Sequence, residues 1–530
     1  MVVSTLVTAT TRLPAGDCQG FIHRHQPVIV AAAGGAVTEL AFSELSLWPA
    51  AVLGVALLVH GLDPRQRVRH GALLGLVWGL AFFLPHLWWA NEAVGPLPWF
   101  ALATLEAALV ASGAAAATVV LTLRHVRRHV ALGAAAFGAV WAASEQLRQV
   151  WPFGGFPWGR LAFSQVDGPL LALAPVGGAP LVSFVVAGLG YAMSAAFTSL
   201  RASDRAAFAR VVAAATVTVA ASALVPLPTA PETGTLQVAA VQGNVSTPGL
   251  DAFAQAREVL DNHVVATRGL AAEGLADDLD LVLWPENATD INPRVDPDAA
   301  RAIDDVASAL AAPILLGTDR HTDGARYNEM VLWEPGAGAT FAYAKQVPAP
   351  FGEYIPFRPF FRLFSADVDR VRVDMARGGE PAVVPVPVAR LGRTVVAATP
   401  ICFEVAYDAV VRAAVLEGAE VLVVPTNNAS FGFTAESVQQ LGMSRFRAAE
   451  HGRATIQIST VGVSAVIAPD GALIERTSLF TQDRLVAALP LRGTLTLSDR
   501  IGDAPATAAV VAALLLTVLG LRAHRRGHSE

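Results

Sequence analysis

Three residues of the types used in nucleophilic catalysis stand far apart in this sequence: Glu286, Lys345 and Cys402. A cysteine thiol is a nucleophile, a carboxylate can take its proton and later deprotonate an incoming nucleophile, and an ammonium stabilises the oxyanion of a tetrahedral intermediate. Taken singly, each residue also has an ordinary explanation, since a lone cysteine is usually a small buried hydrophobe. Only their convergence in space would make them a catalytic site.

Lys345 is unusual because it is the single lysine of the chain. The sequence has 38 basic residues, and every other one is arginine. A codon bias toward Arg and Ala would leave one lysine by chance. The alternative is a chemical requirement, since the lysine ammonium is a compact point charge whereas the guanidinium is planar and wide.

The surroundings of Glu286 and Cys402 place both at the ends of apolar runs. Glu286 follows the run 281–285, and Cys402 follows the run 395–401 and precedes a stretch of helical character. A thiol at a helix N-terminus beside a lysine has its thiolate favoured by the helix dipole and by the cation. We therefore expect a lowered thiol pKa at Cys402.

The region that carries these residues alternates short apolar runs with amphipathic stretches, which predicts an α/β domain. Near-continuous apolar strands indicate sheets that are covered on both faces. The predicted strands are 236–241, 279–284, 313–317, 328–333, 394–398, 421–424, 454–458 and 463–467, and the predicted helices are 252–272, 298–311, 405–418 and 435–451.

The rest of the chain is too apolar for a soluble enzyme. Of all residues 53% are hydrophobic and 15% charged, and the mean hydropathy is +0.47. This composition excludes a disordered chain, and two cysteines exclude a disulfide-stapled fold. With 38 basic against 44 acidic residues, nucleic acid is not an expected partner. Runs of about 20 apolar residues, enough to span a bilayer, are 27–44, 46–62, 71–90, 97–123, 130–148, 179–199, 207–226 and 504–521.

Arginines predict the orientation of these spans, because cytoplasmic loops retain positive charge. They cluster after the second, fourth, sixth and eighth spans. We therefore expect a cytoplasmic tail over 1–26, a seven-helix membrane domain over 27–230, an extracytoplasmic catalytic domain over 231–500, and a final helix and cytoplasmic tail over 501–530.

Three features of the membrane half have two explanations each. The aromatic and Pro/Gly-rich loop 149–178 either anchors helix ends in the headgroup layer or handles lipid. Glu106 and Glu145, within predicted spans, either mark a functional site or lie at helix ends inside a wet bundle. The sequence leaves these alternatives open.

Several motifs resemble the nitrilase superfamily, whose Glu-Lys-Cys triad lies in an α-β-β-α sandwich. More narrowly, WPEN at 284–287, YAKQVPAPFGEYIPF at 343–357 and PICFE at 400–404 are similar to the triad segments of the bacterial apolipoprotein N-acyltransferases. The multispan N-terminal half, the FGGFPWG loop at 153–159 and the lone final helix also resemble that family. The resemblance implies a helical membrane domain joined to a nitrilase-like domain.

The resemblance also implies a role for each site residue. Glu286 is the general base, Lys345 the oxyanion-stabilising cation and Cys402 the nucleophile that carries the acyl group as a thioester. Glu353 and Glu404 are supporting carboxylates near the triad, although both also fit ordinary loop and helix-N-terminal acids.

The sequence departs from the family pattern at two positions near the site. Phe403 stands where the family often has Tyr, and Ser430 stands where Trp is common. The first departure questions any role for that hydroxyl, and the second leaves the acyl-accommodating wall undefined. The Pro-, Gly- and aromatic-rich segment 346–363 beside the lysine is expected to be a lid.

The implied reaction takes an acyl chain from a membrane phospholipid and transfers it to the α-amine of the diacylglyceryl-cysteine of an apolipoprotein. It requires no cofactor or metal, and a monomer in the bacterial plasma membrane is expected. Two alternatives remain: a membrane-tethered amidase that passes the acyl group to water, and a non-catalytic lipid-binding or transport scaffold.

Overall fold

The computed structural model describes residues 15–42, 44–63, 65–245, 257–274, 278–322 and 324–526. Its N-terminal half is helical. The helices are α1 (Ala15–Glu39), α2 (Trp48–Gly61), α3 (Val68–His86), α4 (Trp88–Val94), α5 (Pro96–Val120), α6 (Arg124–Arg128), α7 (Val130–Val150), α8 (Ala174–Arg201) and α9 (Arg205–Ser222). A further long helix, α16 (Ala504–Arg526), returns from the end of the chain and packs against α5 and α7.

Among the described residues, six helical segments are long and apolar enough to cross a membrane: α3, α5, α7, α8 with the preceding turn, α9 and α16. Each predicted span falls on a helix, but two differ from the prediction. Helix α2 has 14 residues, fewer than the roughly 20 that a span needs. Helix α1 begins at Ala15, inside the segment predicted as a tail, whose residues 1–14 lie outside the described part of the chain.

The region between α9 and α16 forms two six-stranded sheets. The strands are β1 (Thr235–Gln242), β2 (Leu281–Leu283), β3 (Ile314–Thr322), β4 (Ala325–Glu334), β5 (Gly338–Ala344), β6 (Val383–Val388), β7 (Arg393–Ala398), β8 (Val421–Thr426), β9 (Thr455–Ser459), β10 (Ala465–Ile467), β11 (Leu473–Arg476) and β12 (Asp483–Pro490). One sheet has the order β12-β1-β2-β3-β4-β5 and the other β11-β10-β9-β8-β7-β6. In both sheets the central strands pair in parallel and the outer strands antiparallel.

The helices of this domain are α10 (Glu258–Ala272), α11 (Pro297–Leu310), α12 (Arg358–Phe361), α13 (Asp408–Leu416), α14 (Glu436–His451) and α15 (Leu497–Ile501). Four of them, α10, α11, α13 and α14, pack on the sheets, and two short helices, α12 and α15, lie in its connections. Alternation along β1 shows the layering: Val238 and Ala240 join the core between the sheets, whereas Ala239 and Val241 join a second core with α10 and α11. Period-two side chains separate two hydrophobic layers in this way. The predicted α-β-β-α sandwich is therefore confirmed.

Both ends of the sandwich domain lie side by side. Strand β1 follows α9 and strand β12 precedes α16, and the two strands pair antiparallel with Thr235 opposite Pro490. The chain thus leaves the helical half and returns to it at one edge of a single sheet.

Candidate active site

Glu286 lies just past the end of β2 and is held at both carboxylate oxygens. Its side chain is buried, with Oε1 accepting from Lys345 Nζ at 3.0 Å and from Asn328 Nδ2 at 2.6 Å. Its Oε2 accepts from the Asn427 backbone N at 2.9 Å. The turn packs directly on β3, where a Cβ at Gly317 would lie 2.7 Å or less from the backbone of 285–287. Glycine at 317 thus permits the approach that fixes the carboxylate.

Lys345 directly follows β5 and is buried among carboxylates. Its Nζ donates to Glu286 and, at 2.8 Å, to Glu353 Oε1. Its backbone is held as well, by Asn328 O at 2.9 Å and Gly378 N at 2.7 Å. Burial alone would lower the pKa of this ammonium, but the charges of Glu286 and Glu353 raise it well above its usual range. Lys345 is therefore a fixed cation.

Glu353 joins Lys345 to the following loop. One oxygen accepts from Lys345 Nζ, and the other accepts from the Ala349 backbone N at 2.6 Å. Together Glu286, Lys345 and Glu353 form a buried group of two carboxylates on one ammonium, here called the Lys345 cluster. The carboxylates outnumber the cation, so the cluster has the capacity to hold an extra proton.

Glu404 lies one turn from the cysteine and does not contact Lys345 Nζ directly. It accepts hydrogen bonds from Tyr343 Oη, from the backbone N of Gln346 and Val347, and from the backbone N of Ile401, all at 2.6 to 3.0 Å. Burial raises its pKa to about 7, although Lys345 and these donors act in the opposite direction. Glu404 thereby ties the lysine strand to the cysteine turn.

Cys402 is half-buried and sits in a left-handed backbone conformation, with φ of +52°. A residue other than glycine in this region is strained, which is typical of functional sites. The residue opens a five-residue 3₁₀ turn, Cys402–Ala406, and α13 begins only at Asp408. Cys402 is therefore not at the N-terminus of an α-helix, contrary to the prediction.

The expected lowering of the thiol pKa is also wrong. Burial and the charge of Glu286 raise the pKa of Cys402 far above its usual range, and Lys345 offsets only part of this. Burial is the larger cause of the raised pKa, and the carboxylates near the thiol add to it. Both favour the neutral form of the thiol.

The thiol contacts two polar residues that the sequence did not point to. Thr426 Oγ1 lies 3.3 Å from Cys402 Sγ, and Gln440 Nε2 lies 3.5 Å from it. Thr426 ends β8, and Asn427 next to it binds Glu286. A polar run directly after a buried strand was the available sign, because α/β folds carry their chemistry at strand ends.

An aromatic stack joins the cysteine turn to the membrane half. Phe403 packs its ring against Phe156, with centroids 5.6 Å apart, and against Trp158 at 6.1 Å. Tyr407 Oη donates to Gly155 O at 2.8 Å. The loop that carries the 153–159 motif thus lies directly against the residue after Cys402. Phe403 is a packing residue in this stack.

Glu106 and Glu145 both hold this loop from within the helical half. Glu106 accepts from Arg148 Nε at 2.5 Å, and Arg148 in turn donates to Trp158 O. Glu145 accepts from Trp141 Nε1 and from the Leu161 backbone N, each at 2.9 Å. Neither carboxylate is free within the described residues, so their observed role is to position the loop.

A second buried ionic group links the helical half to the sandwich domain. We call it the junction cluster, and its members are Arg160, Asp408, Arg447 and Glu450. Arg160 Nη1 and Arg447 Nη2 both donate to Asp408, at 2.8 and 2.7 Å, and Arg447 Nη1 donates to Glu450 at 2.5 Å. Although burial acts against it, the two guanidinium groups hold the pKa of Asp408 well below its usual range.

Arg445 and Arg453 on or next to α14 also hold structure together. Arg445 pairs with Asp167 at 2.7 Å, and Arg453 donates to the carbonyl oxygens of Ala419, His451 and Thr494. These contacts give both arginines a structural role.

A groove of about 870 Å³ opens between α4 and the segment 430–435. Trp88, Trp89 and Phe433 supply apolar walls, and Ser430 supplies part of the floor. Trp89 contacts Trp158, with ring centroids 5.5 Å apart, so the groove and the aromatic stack beside Cys402 are continuous. Within the described residues, no group of three or more His, Cys, Asp or Glu side chains is arranged to hold a metal.

The two halves of the chain match two family models. Residues 34–192 match the apolipoprotein N-acyltransferase N-terminal domain, and residues 237–495 match the carbon-nitrogen hydrolase domain. Among solved structures, an amidase from Nesterenkonia sp. aligns with 16% identity over 50% of this chain and 94% of its own, with a TM-score of 0.36. The match over residues 237–495 identifies the sandwich as a carbon-nitrogen hydrolase domain.

Relatives that match nearly the full length of the chain identify the family within this class. The apolipoprotein N-acyltransferase of Mycolicibacterium smegmatis is 38% identical over 529 residues, which cover 94% of this chain and 86% of the relative. That of Azotobacter vinelandii is 33% identical over 480 residues, covering 88% and 90%. The chain belongs to the apolipoprotein N-acyltransferase family and is an acyltransferase of a bacterial membrane.

Proposed function

We propose that this protein transfers an acyl chain from a membrane phospholipid, through a thioester on Cys402, to the α-amine of the diacylglyceryl-cysteine at the N-terminus of an apolipoprotein. The observation that carries the proposal is the Lys345 cluster, in which Lys345 Nζ donates to Glu286 at 3.0 Å and to Glu353 at 2.8 Å. The charge of Lys345 also interacts with Cys402. Family membership supports the substrates, and the geometry supports the order of events.

In the first half-reaction, Cys402 Sγ attacks an ester carbonyl carbon of the phospholipid while Glu286 takes the thiol proton. Lys345 stabilises the oxyanion that forms on the carbonyl oxygen. The carbon–oxygen ester bond then breaks, and Glu286 returns the proton to the leaving alkoxide. A lysophospholipid departs, and the acyl group remains as a thioester.

In the second half-reaction, the acceptor amine attacks the thioester carbonyl carbon and gives a proton to Glu286. The carbon–sulfur bond breaks, the electron pair returns to sulfur, and Glu286 returns the proton to the thiolate. Glu286 thus accepts a proton in each attack, from the thiol in the first half-reaction and from the amine in the second. Glu353 holds Lys345, and Glu404 holds the two chain segments that bear Lys345 and Cys402.

We further propose that the sandwich domain, 231–500, faces the extracytoplasmic side of the plasma membrane and that the protein acts as a monomer. The arginine pattern of the loops supports this orientation. Two lipid-anchored substrates would reach the site along the membrane half. The groove between α4 and 430–435 offers such substrates an apolar surface at the membrane half, and its Trp89 contacts Trp158 of the aromatic stack.

Intact-protein mass spectrometry tests the proposal. Full-length protein in detergent, incubated with a defined phosphatidylethanolamine, should gain the mass of one acyl chain, and Cys402→Ala and Cys402→Ser should gain none. Addition of a diacylglyceryl-cysteine peptide should remove the adduct and yield an N-acylated peptide. Release of free fatty acid without peptide acylation would identify a hydrolase instead, and absence of any adduct on the wild-type protein would contradict the thioester.

A further inference from the structure

A chain of buried polar groups outside the Lys345 cluster reaches Cys402. It runs from the Gly462 backbone N to Ser459 Oγ at 2.8 Å, and from Ser459 Oγ to Asn428 Oδ1 at 2.6 Å. Asn428 Nδ2 lies 3.1 Å from Gln440 Oε1, and Gln440 Nε2 lies 3.5 Å from Cys402 Sγ. All three side chains are buried. We call this chain the sulfur relay.

The direction of every hydrogen bond in the sulfur relay is fixed at its far end. A backbone N–H can only donate, so Ser459 Oγ accepts from Gly462 and has its single proton for Asn428 Oδ1. The Asn428 amide then turns its NH₂ group away from Ser459. Two acceptors take those protons, Gln440 Oε1 and Glu436 Oε2, the latter at 2.6 Å.

The orientation of Gln440 follows from its neighbours. Its Oε1 accepts from Asn428 and also from Thr426 Oγ1 at 2.8 Å. With its oxygen engaged twice, Gln440 presents Nε2 to the sulfur. Thr426 has a single proton and two acceptors within reach, Gln440 Oε1 at 2.8 Å and Cys402 Sγ at 3.3 Å, so a proton donated to Gln440 is not available to the sulfur.

The sulfur relay supplies a hydrogen-bond donor to the sulfur of Cys402, which the Lys345 cluster does not provide. Negative charge develops on sulfur twice, when the thiol loses its proton to Glu286 and when the carbon–sulfur bond of the thioester breaks. Lys345 Nζ already donates to Glu286 and Glu353, and its remaining proton is required by the carbonyl oxygen. The sulfur therefore needs a donor from another direction, and Gln440 Nε2 lies there.

We propose that Gln440 is a further catalytic residue, which donates a hydrogen bond to Cys402 sulfur as it becomes charged, and that Ser459 and Asn428 are positioning residues that hold it in the donating orientation. The proposal rests on the thiol chemistry of the proposed function and adds a group to it.

Alkylation of Cys402 by iodoacetamide tests this directly, because it requires a thiolate and neither lipid nor acceptor. The titratable groups facing the thiol are Glu286 after β2, Lys345 after β5 and Glu436 on α14. Gln440→Met substitutes none of them and keeps a similar side-chain length, but it frees the Thr426 proton for the sulfur. The comparison is therefore made in a Thr426→Val background, where a change in the pH profile of alkylation reports the loss of the N–H donor.

The experiment uses the full-length protein in detergent and follows the modified Cys402 peptide by mass spectrometry, which separates it from Cys18. Loss of one hydrogen bond to an anion should slow alkylation of Gln440→Met at neutral pH by about ten-fold or more. Its pH profile should shift to higher pH. Ser459→Ala should shift the profile in the same direction by a smaller amount, since Gln440 remains but is no longer oriented.

Ser444→Ala is the matched control. Ser444 is buried on the same helix and donates to Gln457 Oε1 at 2.7 Å, without a link to the thiol. It should alkylate at the rate of the Thr426→Val background. Alkylation of Gln440→Met at the background rate or faster would overturn the proposal, and if that variant melts far below the background, an unchanged profile of Ser459→Ala would overturn it. A wild-type protein that alkylates but takes no acyl group would contradict the proposed function alone.

Discussion

Two ionic clusters adjoin the cysteine turn, and their compositions differ. The Lys345 cluster sets two carboxylates on one ammonium, whereas the junction cluster holds two guanidinium groups with two carboxylates at hydrogen-bond distance and a third, Glu145, 3.7 Å from Arg160. The pKa of Asp408 in the junction cluster is held low by Arg160 and Arg447, while the pKa of Cys402 beside the Lys345 cluster is raised by burial and by Glu286.

The difference indicates what each cluster is for. Arginine keeps its charge and binds carboxylates through a rigid fork, so the junction cluster fixes geometry between the two halves. A compact ammonium beside excess carboxylate leaves an oxygen that can take a proton and give it back. Burial alone therefore does not identify a reactive site, and the type of cation within it separates these two clusters.

The largest expected effect follows from removing the proton acceptor of the Lys345 cluster. Glu286→Gln keeps the shape of the side chain but cannot accept the thiol proton. The rates of both half-reactions should fall by at least 10²-fold, the usual size of general-base assistance. Time-resolved intact mass of the acyl adduct measures the first half-reaction, and loss of the adduct to a peptide acceptor measures the second. A rate within ten-fold of wild type would remove Glu286 from the role of base.

Exchanging lysine and arginine between the two clusters tests whether each needs its own type of cation. Lys345→Arg keeps the charge but forces a wide guanidinium between Glu286 and Glu353, and acyl transfer should fall by about 10²-fold, as when one oxyanion donor is lost. Arg447→Lys makes the opposite exchange in the junction cluster and should leave the rate per folded molecule within a few-fold. Near-normal turnover of Lys345→Arg would show that charge alone suffices, and that the single lysine reflects codon bias.

Substitution in the junction cluster should lower the stability of the fold and leave the reactivity of Cys402 unchanged. Asp408→Asn leaves Arg160 and Arg447 buried without their shared carboxylate, and breaking such a pair costs about 3 kcal/mol or more. Thermal melting in detergent should show the loss, and Cys402 alkylation of the folded variant should stay near wild type. Because the pKa of Asp408 is lowered by folding, the wild-type advantage should be complete above the unfolded pKa and disappear as pH falls through the folded value.

The smallest effect concerns Glu436, whose pKa is raised to about 8 by burial, with the charge of Glu286 acting in the same direction. A raised carboxyl pKa makes the folded state less stable as pH rises from the unfolded value of 4.5 to about 8. Glu436→Gln should therefore melt a few degrees above wild type at pH above 8, and the difference should shrink as pH falls toward 4.5. A pH-independent difference in melting temperature would contradict this pKa.

Sequence patterns identified the interior of each sheet but not its borders. All eight predicted strands are present, and the four that were missed, β5, β6, β11 and β12, are the four edge strands of the two sheets. Interior strands are buried on both faces and are continuously apolar. Edge strands are partly solvated, as in β11, and they tolerate proline, as at Pro385 and Pro387 of β6.

The sequence also predicted only part of the candidate site. Glu286, Lys345, Glu353, Cys402 and Glu404 were all expected from motifs, and the structure brings them into one region. The acidity of the thiol was predicted wrongly, because its burial, the carboxylates near it and the absence of a helix N-terminus are three-dimensional facts. Gln440 and Ser459 were not found for the same reason, since neither stands beside a motif residue in the chain.

The side-by-side ends of the sandwich domain have an evolutionary consequence. Because Thr235 and Pro490 are partners across one strand pair, the whole domain is an insertion between two successive helices. Such a module can be acquired by a helical ancestor in one step, without rerouting any helix. It can equally be exchanged between chains as a cassette, provided that the loop at 153–159 changes with it to match the new surface.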